Sequence, residues 1–395
     1  MTDAFVLTGA RTPRGKGSAR GALHLLSPVR LVGHVLDALH PRLRGTHVDD
    51  VVLGCATQID EQGANLARSA TLLAGWDATI PGVTINRFCA SGLDAINLAA
   101  SRIRAGDASL IVAGGVESVS RVPTFSDRGP LYSDPLVMAA AGTIHMGVAA
   151  DLVAALEGLD RDACDRYAYA TRDKARRAPV SPSIVPVVDG ARTLLDHDEH
   201  VHFQLTLEEL AALPPLFAEL GAAGQDAIAL ARHPSLSAIP HIHTRGSSPS
   251  LADAAALVAV GDLAAAERCG LAPRARIVAT ATCASDPVTM LTAGQAAIEQ
   301  ALARAGLRPS DVAVFEFAEA FAALCLRLMR DLDVDHDRLN PNGGTIALGH
   351  AYGATGAVLL LDAIDELERR GERYAVVAVS GAAGLGAAAV LERVG

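Results

Sequence analysis

The residues best suited to chemistry in this chain lie in residues 86–93, which include Cys89. An apolar run precedes them and apolar residues at helical spacing follow, which predicts a strand, a tight turn and a helix, with Cys89 on the turn. Unpaired N–H groups and the positive end of the helix dipole favour a thiolate at such a helix start. A thiolate is a nucleophile, so Cys89 is a candidate for covalent catalysis. Free cysteines are often inert core residues, so this interpretation requires a base.

A histidine occupies the equivalent place in the second half of the chain. Cys89 is followed by a small-residue turn, a helix, an apolar strand and Gly114-Gly115, and His350 is followed by the same elements up to Gly381. Such a repeat predicts two similar halves packed about a pseudo-twofold axis. That axis would bring the two helix starts together, so that Cys89 and His350 face each other as a nucleophile and its base.

Composition excludes several classes of function. The 395 residues carry a net charge of -10 without a basic block, which argues against a nucleic-acid partner. The six cysteines form no CxxC pair, which suits a reducing cytoplasm rather than a disulfide framework or a zinc site. Gly, Pro or charged residues interrupt the apolar runs, and the N-terminus has no signal character. We therefore expect a cytoplasmic protein that does not insert into membranes.

Two groups of polar residues have plain structural interpretations. Residues 197–202 contain three histidines, but their spacing matches no standard ligand set, so a solvated loop explains them better than a metal site. Glu117 and Glu319 are expected to bond to loops rather than to carry protons.

Strand and helix patterns alternate at both ends of the chain and lapse in the middle. The alternation predicts parallel sheets covered on both faces, with the strand that starts at Ala108 ending in Gly114-Gly115. The middle predicts an inserted domain of helices and loops, with a clear helix near residues 161–176 that Asp160 caps. The boundaries that we assign are 1–118 for the first half, completed by about 246–272, then 119–245 for the insertion and 273–395 for the second half.

The chain resembles the thiolase family over essentially its whole length. The matching segments are Arg11-Thr12-Pro13, residues 86–92, residues 114–120, His145-Met146-Gly147, residues 319–322, residues 342–344 and Gly349-His350. The resemblance implies a five-layered α-β-α-β-α fold of two pseudo-symmetric halves plus the inserted domain. It also implies acyl transfer between a cysteine and coenzyme A in a homodimer or homotetramer, with acyl-CoA and CoA as ligands and no metal or organic cofactor.

The resemblance also implies roles for single residues. Cys89 would take the acyl group, His350 would activate it and help to stabilise an oxyanion, and the N–H groups of Cys89 and Ala382 would form the second oxyanion hole. The substrate-binding residues that we expect are His145, Met146, Ser247, Ser248 and Phe321. Thiolate attack on a 3-ketoacyl thioester would expel the enolate of acetyl-CoA, whose oxygen must be stabilised and whose carbon must be protonated.

The chain departs from the family pattern at the proton-transfer positions. Ala318 stands where the family has an Asn that holds a water in the first oxyanion hole. Ser380 stands at the position of the second reactive cysteine, and its hydroxyl is far less acidic than a thiol. Cys283 is the thiol to examine as a substitute. The segments that differ at the CoA-binding positions, or are longer than usual, are residues 213–217, 246–249 and 218–240.

Three functions remain open. The first is a 3-ketoacyl-CoA thiolase or acetyl-CoA acetyltransferase of fatty-acid metabolism, such as β-oxidation, in which His145 or a water replaces the missing acid/base. The second is an acyltransferase or condensing enzyme that uses another acceptor. The third is a thiolase-like subunit that binds acyl-CoA with little turnover. The pairing of Cys89 with His350 disfavours the third function, and we expect the first.

Overall fold

The computed structural model describes residues 2–201 and 205–395. The strands are β1 (Phe5–Arg11), β2 (Gly15–Lys16), β3 (Asp50–Gly54), β4 (Gly82–Ile85), β5 (Leu110–Ser118), β6 (Val187–Asp189), β7 (Arg192–Leu195), β8 (Ala252–Gly261), β9 (Ala275–Ala284), β10 (Val314–Phe317), β11 (Tyr374–Ser380) and β12 (Leu385–Arg393). The α-helices are α1 (Pro28–Leu39), α2 (Leu66–Leu73), α3 (Ser91–Ala105), α4 (Pro130–Ser133), α5 (Pro135–Ala141), α6 (Met146–Glu157), α7 (Arg161–Arg177), α8 (Leu207–Ala211), α9 (Ala218–Leu220), α10 (Asp226–Arg232), α11 (Leu263–Cys269), α12 (Ala293–Ala305), α13 (Ala322–Leu332), α14 (Thr345–Leu348) and α15 (Tyr352–Arg370).

The fold repeats one arrangement of strands in its two halves. In the first half, β4, β3 and β5 are parallel, and β8 and β1 continue the sheet antiparallel to their neighbours. In the second half, β10 and β11 are parallel, and β12 and β9 follow antiparallel. The two half-sheets join at one corner, where Phe5 and Val6 of β1 pair with Arg276 and Ala275 of β9. The predicted pair of similar halves is therefore confirmed.

Helices α3 and α15 form the central layer between the half-sheets. Their apolar residues, such as Leu93 and Leu360, share one buried cluster with strands of both halves. Helices α1 and α2 cover the outer face of the first half-sheet, and α12 and α13 cover that of the second. Burial of apolar surface on both faces of each sheet thus produces the predicted order α-β-α-β-α, which is confirmed.

Glycines let the two central helices meet. The prediction that the strand ends at Gly114-Gly115 is wrong, because β5 runs through both glycines to Ser118. A Cβ at Gly115 would lie 1.9 Å from the carbonyl oxygen of Gly353 in α15, and one at Gly92 in α3 would lie 2.3 Å from the same atom. Since only glycine leaves this space, the starts of α3 and α15 pack against each other and against β5, as the repeat predicts.

The region between β5 and β8 contains helices α4–α10 and the hairpin β6-β7. The predicted helix near residues 161–176 is confirmed as α7, and Asp160 caps it by accepting a hydrogen bond from the Ala163 N–H at 2.8 Å. Residues Pro135–Glu157 are long and apolar enough to cross a membrane by length and composition alone. However, half of the apolar window is buried, and left-handed Gly142 separates α5 from α6, which packs in the core.

Candidate active site

Cys89 lies on a turn that its neighbouring side chains hold in place. The Asn86 side chain accepts a hydrogen bond from the Phe88 N–H at 2.7 Å, and Ser91 Oγ accepts one from the Arg87 N–H at 2.7 Å. Phe88 adopts a left-handed conformation with φ 49°, which is rare for a bulky residue and occurs at functional sites. The turn places Cys89 two residues before the first residue of α3.

Cys89 lines a cavity of about 40 Å³ that draws residues from both halves and from the region between them. Ala382 of the second half and Met146 at the start of α6 lie in the same wall. The other lining residues are mainly polar or aromatic: Ala56, Thr57, Phe88, Thr124, Phe125, Asp127, Tyr132 and Tyr352. The structure therefore brings three of the predicted site residues, Cys89, Met146 and Ala382, to one cavity.

Burial controls the ionisation of Cys89. The residue is 7% exposed, and burial together with the nearby Glu117 carboxylate raises the pKa of Cys89 to about 12. Burial and the Glu117 charge thus oppose the thiolate that the helix start is predicted to favour. The thiol is therefore neutral at pH 7 and must pass its proton to a base as it attacks.

Hydrogen bonds of its backbone N–H and of its ring hold His350 beside the cavity. Its backbone N–H donates to the Ser250 carbonyl at 2.7 Å, and its Nδ1 bonds to the Thr355 hydroxyl at 2.8 Å. Its ring meets the edge of the Tyr352 ring, which lines the cavity, with centroids 5.1 Å apart. Burial lowers the pKa of His350 to about 4, so the ring is neutral at pH 7 and can accept a proton.

Two fully buried glutamates fix the loops around the site. Glu117 accepts hydrogen bonds from the Ala56 N–H at 2.9 Å and the Gly353 N–H at 3.0 Å, so it ties the cavity wall to α15. Glu319 accepts one from the Ile346 N–H at 2.9 Å, in the segment that leads to His350. The prediction that both acids have structural bonds is confirmed, although Gly353 and Ile346 belong to helices α15 and α14 rather than to loops.

Ser380 is bonded to backbone groups. Its Oγ donates to the Leu291 carbonyl at 2.7 Å and accepts from the Gly294 N–H at 3.0 Å. The only proton of this hydroxyl is therefore already committed, in addition to being weakly acidic. Cys283 does not stand in for it, because it pairs with Gly386 in the β9-β12 ladder and is not among the residues that line the Cys89 cavity.

Ala318, which replaces the family's Asn, and Ala382, the predicted oxyanion-hole residue, lie in different places. Ala318 is buried in the central core and presents only a methyl group, so its side chain cannot bind a water. Ala382 lines the cavity opposite the first half, in a tight turn where Ala383 is left-handed with φ 56°.

Four other predicted substrate-binding residues are not among the cavity-lining residues. The Nδ1 of His145 caps α6, and its ring lies 5.3 Å from that of Phe217. Phe321 meets the same Phe217 ring edge-on at 5.7 Å. Ser247 is buried, and its Oγ accepts a backbone hydrogen bond. Ser248 Oγ is buried without a hydrogen-bond partner in the part of the chain that the structure describes.

The polar segment at residues 197–202 has a structural role through Asp198. This buried carboxylate pairs with Arg11 at 2.8 Å and Arg14 at 3.0 Å, and although burial opposes ionisation, the two guanidinium groups hold its pKa below the usual range. No cluster of metal ligands occurs in residues 2–201 and 205–395, and His202 lies outside the described residues.

A second cavity, of about 630 Å³, adjoins the ion pairs of Asp198 with Arg11 and Arg14, and none of the predicted site residues lines it.

Two tyrosines in the cavity wall are missed by the sequence analysis. Tyr352 is the first residue of α15, and its hydroxyl accepts a hydrogen bond from Thr124 at 3.2 Å. Tyr132 lies in α4 and packs against Phe125 with ring centroids 4.4 Å apart. Because Tyr352 lies only two residues after His350, the sequence alone could have indicated it as a residue of the site. Tyr132 lies in a region without a regular pattern, so no such signal marks it.

The comparisons with known proteins agree with this architecture. The N-terminal domain model of thiolases matches residues 4–225, and the C-terminal domain model matches residues 271–393. The chain is 38% identical, over 100% of both chains, to a 3-oxoadipyl-CoA/3-oxo-5,6-dehydrosuberyl-CoA thiolase of Escherichia coli. It is 33% identical to a 3-ketoacyl-CoA thiolase of Bacillus subtilis, over 99% of this chain and 100% of that one. The crystal structure of the Bacillus anthracis acetyl-CoA acetyltransferase superposes with a TM-score of 0.84 at 29% identity, covering 100% and 99% of the two chains.

The layered fold and the matches together define an acyltransferase that uses acyl-CoA thioesters. The chain belongs to the thiolase family, as its motifs predict.

Proposed function

We propose that this chain cleaves 3-ketoacyl-CoA thioesters by acyl transfer through Cys89, and that the acyl chain of its substrate is short and uncharged. The observation that carries the proposal is the shared cavity of Cys89 and Ala382, which come from opposite halves of the fold, with His350 next to its wall. The names of the thiolase relatives support the same reaction class.

The reaction begins with attack of Cys89 Sγ on the 3-keto carbon. In this mechanism the neutral His350 ring carries its hydrogen on Nδ1, which donates to the Thr355 hydroxyl, so Nε2 accepts the thiol proton. The N–H groups of Cys89 and Ala382 stabilise the oxyanion as the tetrahedral adduct forms. The C2–C3 bond then breaks, which leaves the acyl group on Cys89 and expels the enolate of acetyl-CoA, and the thiol of a second CoA finally removes the acyl group.

The substrate class follows from the size and charge of the cavity. A volume of about 40 Å³ leaves room for a small group only. Among the described residues that line it none is basic, and Asp127 is acidic, so a terminal carboxylate on the acyl chain would be repelled. A dicarboxylic 3-ketoacyl group, of the kind named for the Escherichia coli relative, is therefore the second candidate.

Two other functions stay open as alternatives. An acyltransferase or condensing enzyme with another acceptor is favoured by the absence of an acidic group at Ser380 and of an amide at Ala318. An acyl-CoA-binding subunit with little turnover is disfavoured by the position of Cys89 in a cavity beside a neutral histidine.

We also propose a cytoplasmic homodimer or homotetramer that needs no cofactor. Strand β4 lies at the outer edge of the sheet next to the Cys89 turn, and Val83 on it is 41% exposed, so this edge is available to a second copy. All six cysteines are free, which suits a reducing compartment. Light scattering of the purified protein tests the oligomer, and a monomeric mass would contradict it.

The test of the function compares acetoacetyl-CoA with β-ketoadipyl-CoA as substrates for wild type and Cys89→Ala. We expect wild type to release acetyl-CoA faster from acetoacetyl-CoA, with the Cys89 peptide carrying the acyl mass, and Cys89→Ala to do neither. Faster cleavage of β-ketoadipyl-CoA would contradict the proposed substrate class. Acylated Cys89 without any C–C cleavage would establish transfer to another acceptor, and no acylation would indicate a binding subunit.

A further inference from the structure

The reaction proposed above requires a proton donor that the usual position does not supply. The leaving group of C–C cleavage is a carbanion in its enolate form, and it must take a proton at carbon. Ser380 donates its proton to the Leu291 carbonyl, and Cys283 is not among the residues that line the cavity. The proton that His350 takes from Cys89 has to return to that sulfur when CoA displaces the acyl group, so the donor to carbon is another group in the cavity wall, or a water.

Tyr352 has the placement and the chemistry of that donor. It is 7% exposed, lines the cavity with Cys89 and Ala382, and meets the His350 ring edge-on at 5.1 Å. Thr124 donates a hydrogen bond to its phenolic oxygen at 3.2 Å, which leaves the phenolic proton to be donated elsewhere.

The backbone of Tyr352 supports a role beyond packing. Its φ is 29°, a positive value that a bulky residue rarely adopts and that structures retain at functional sites. The next N–H, that of Gly353, is fixed by Glu117 at 3.0 Å, so the buried carboxylate holds the helix start that carries the phenol. Burial, with the neighbouring Cys89 thiol, raises the pKa of Tyr352, so its phenolate would be a strong base once formed.

We propose that the Tyr352 hydroxyl is the acid and base of the C–C step, in place of the second reactive cysteine of the family. As the C2–C3 bond breaks, its electron pair passes to C2, and C2 takes the phenolic proton to give acetyl-CoA. The phenolate then takes the proton of the incoming CoA thiol, whose sulfur attacks the Cys89 thioester and expels Cys89 as a thiolate. His350 returns to this thiolate the proton that it took in the first step. The phenol, the neutral histidine and the Cys89 thiol are thus all regenerated, so atoms and charges balance over the cycle.

The experiment separates carbanion chemistry from simple acyl transfer. Acetyl-CoA acylates Cys89 by expelling CoA thiolate, a stable anion that depends little on a proton donor, whereas cleavage of acetoacetyl-CoA expels a carbanion that must be protonated. We expect Tyr352→Phe to lower cleavage about 100-fold or more while acylation by acetyl-CoA continues. It should also lose the exchange of acetyl-CoA methyl hydrogens with D2O, which the phenolate would catalyse. Tyr132→Phe, which removes the other phenol of the cavity, should leave the ratio of cleavage to acylation unchanged.

Each result distinguishes proton transfer by Tyr352 from a structural role of this residue or a catalytic role of Tyr132. Equal losses of acylation and cleavage in Tyr352→Phe would indicate a structural role and overturn the proposal, as would cleavage at the wild-type rate or a selective loss in Tyr132→Phe. The proposal rests on the proposed function, but the exchange reaction tests it separately. Wild type that exchanges deuterium without cleaving 3-ketoacyl-CoA would contradict the proposed function alone. Wild type that does neither would overturn both.

Discussion

The two halves of the fold share a backbone plan but present different chemistry to the centre of the molecule. The turn before α3 presents the Cys89 thiol to the cavity. In the second half, β11 ends in Ser380, whose hydroxyl is bonded to the Leu291 carbonyl and the Gly294 N–H. The polar side chains of the second half at the cavity or its wall are instead those of His350, which lies just before α15, and Tyr352, the first residue of α15.

This difference shows that pseudo-symmetry specifies positions rather than functions. The close approach of Gly92 and Gly115 to Gly353 fixes where the two helix starts meet. Which side chain does the chemistry there depends on single residues, and a serine whose hydroxyl bonds to the backbone is a structural residue. The halves can therefore be tested one group at a time.

The largest effect is expected from Cys89→Ala, which removes the nucleophile of the first half. Without the thiol no thioester can form, so turnover should fall on the order of 10⁴-fold or more. Acetoacetyl-CoA cleavage and the mass of the peptide that contains residue 89 measure this loss. Since Cys89 is a small residue, the variant should fold, and circular dichroism provides the control. Residual turnover near the wild-type level would place the nucleophile elsewhere.

The next largest effect is expected from His350→Ala, which removes the base on the second half. General-base catalysis contributes about 10²–10⁴-fold, so both acylation and cleavage should fall within that range. In wild type, burial lowers the pKa of His350 to about 4, so lowering the pH from 8 to about 5 leaves the ring neutral and does not remove the base. A pH–rate profile with a limb near the ordinary histidine pKa of about 6.5 would contradict this assignment.

The sequence predicts the fold well because several of its signals are local and repeated. Apolar strands, helix starts and the two matching turns around Cys89 and His350 are visible without tertiary information. The bounds of β5 cannot be predicted in this way. In the sequence, Gly114 and Gly115 resemble the end of a strand, and only the folded structure shows that they are glycines because other backbone segments pack against them.

The protonation states and hydrogen bonds of the site residues also cannot be predicted from the sequence. The helix-start argument for a thiolate is local, whereas the raised pKa of Cys89 depends on burial by several distant segments and on Glu117. The same applies to Ser380, whose partners Leu291 and Gly294 are far from it in sequence. Solvent exclusion and long-range hydrogen bonds require the folded structure.

A smaller effect is expected in the pH dependence of Cys89 alkylation by iodoacetamide. Burial favours the neutral thiol and raises its pKa to about 12, so the thiolate fraction should rise about tenfold per pH unit from pH 7 to pH 10. A model cysteine peptide, with a pKa of about 8.5, should level off above about pH 9 under the same conditions. Mass spectrometry of the Cys89 peptide follows the rate. A plateau at or below that of the model peptide would show that the helix dipole, rather than burial, dominates at this thiol.

The smallest effect on catalysis is expected at Ser380, where the two halves differ most. Ser380→Ala leaves the Leu291 carbonyl and the Gly294 N–H without their partner, so the free energy of unfolding should fall by about 1–3 kcal/mol. Denaturant unfolding measures this change. Because the hydroxyl proton is already donated to a carbonyl, cleavage per folded molecule should fall far less than in Tyr352→Phe. Equal losses of cleavage in the two variants, with Ser380→Ala as stable as wild type, would return the proton-transfer role to the end of β11 and restore the chemical symmetry of the family at this site.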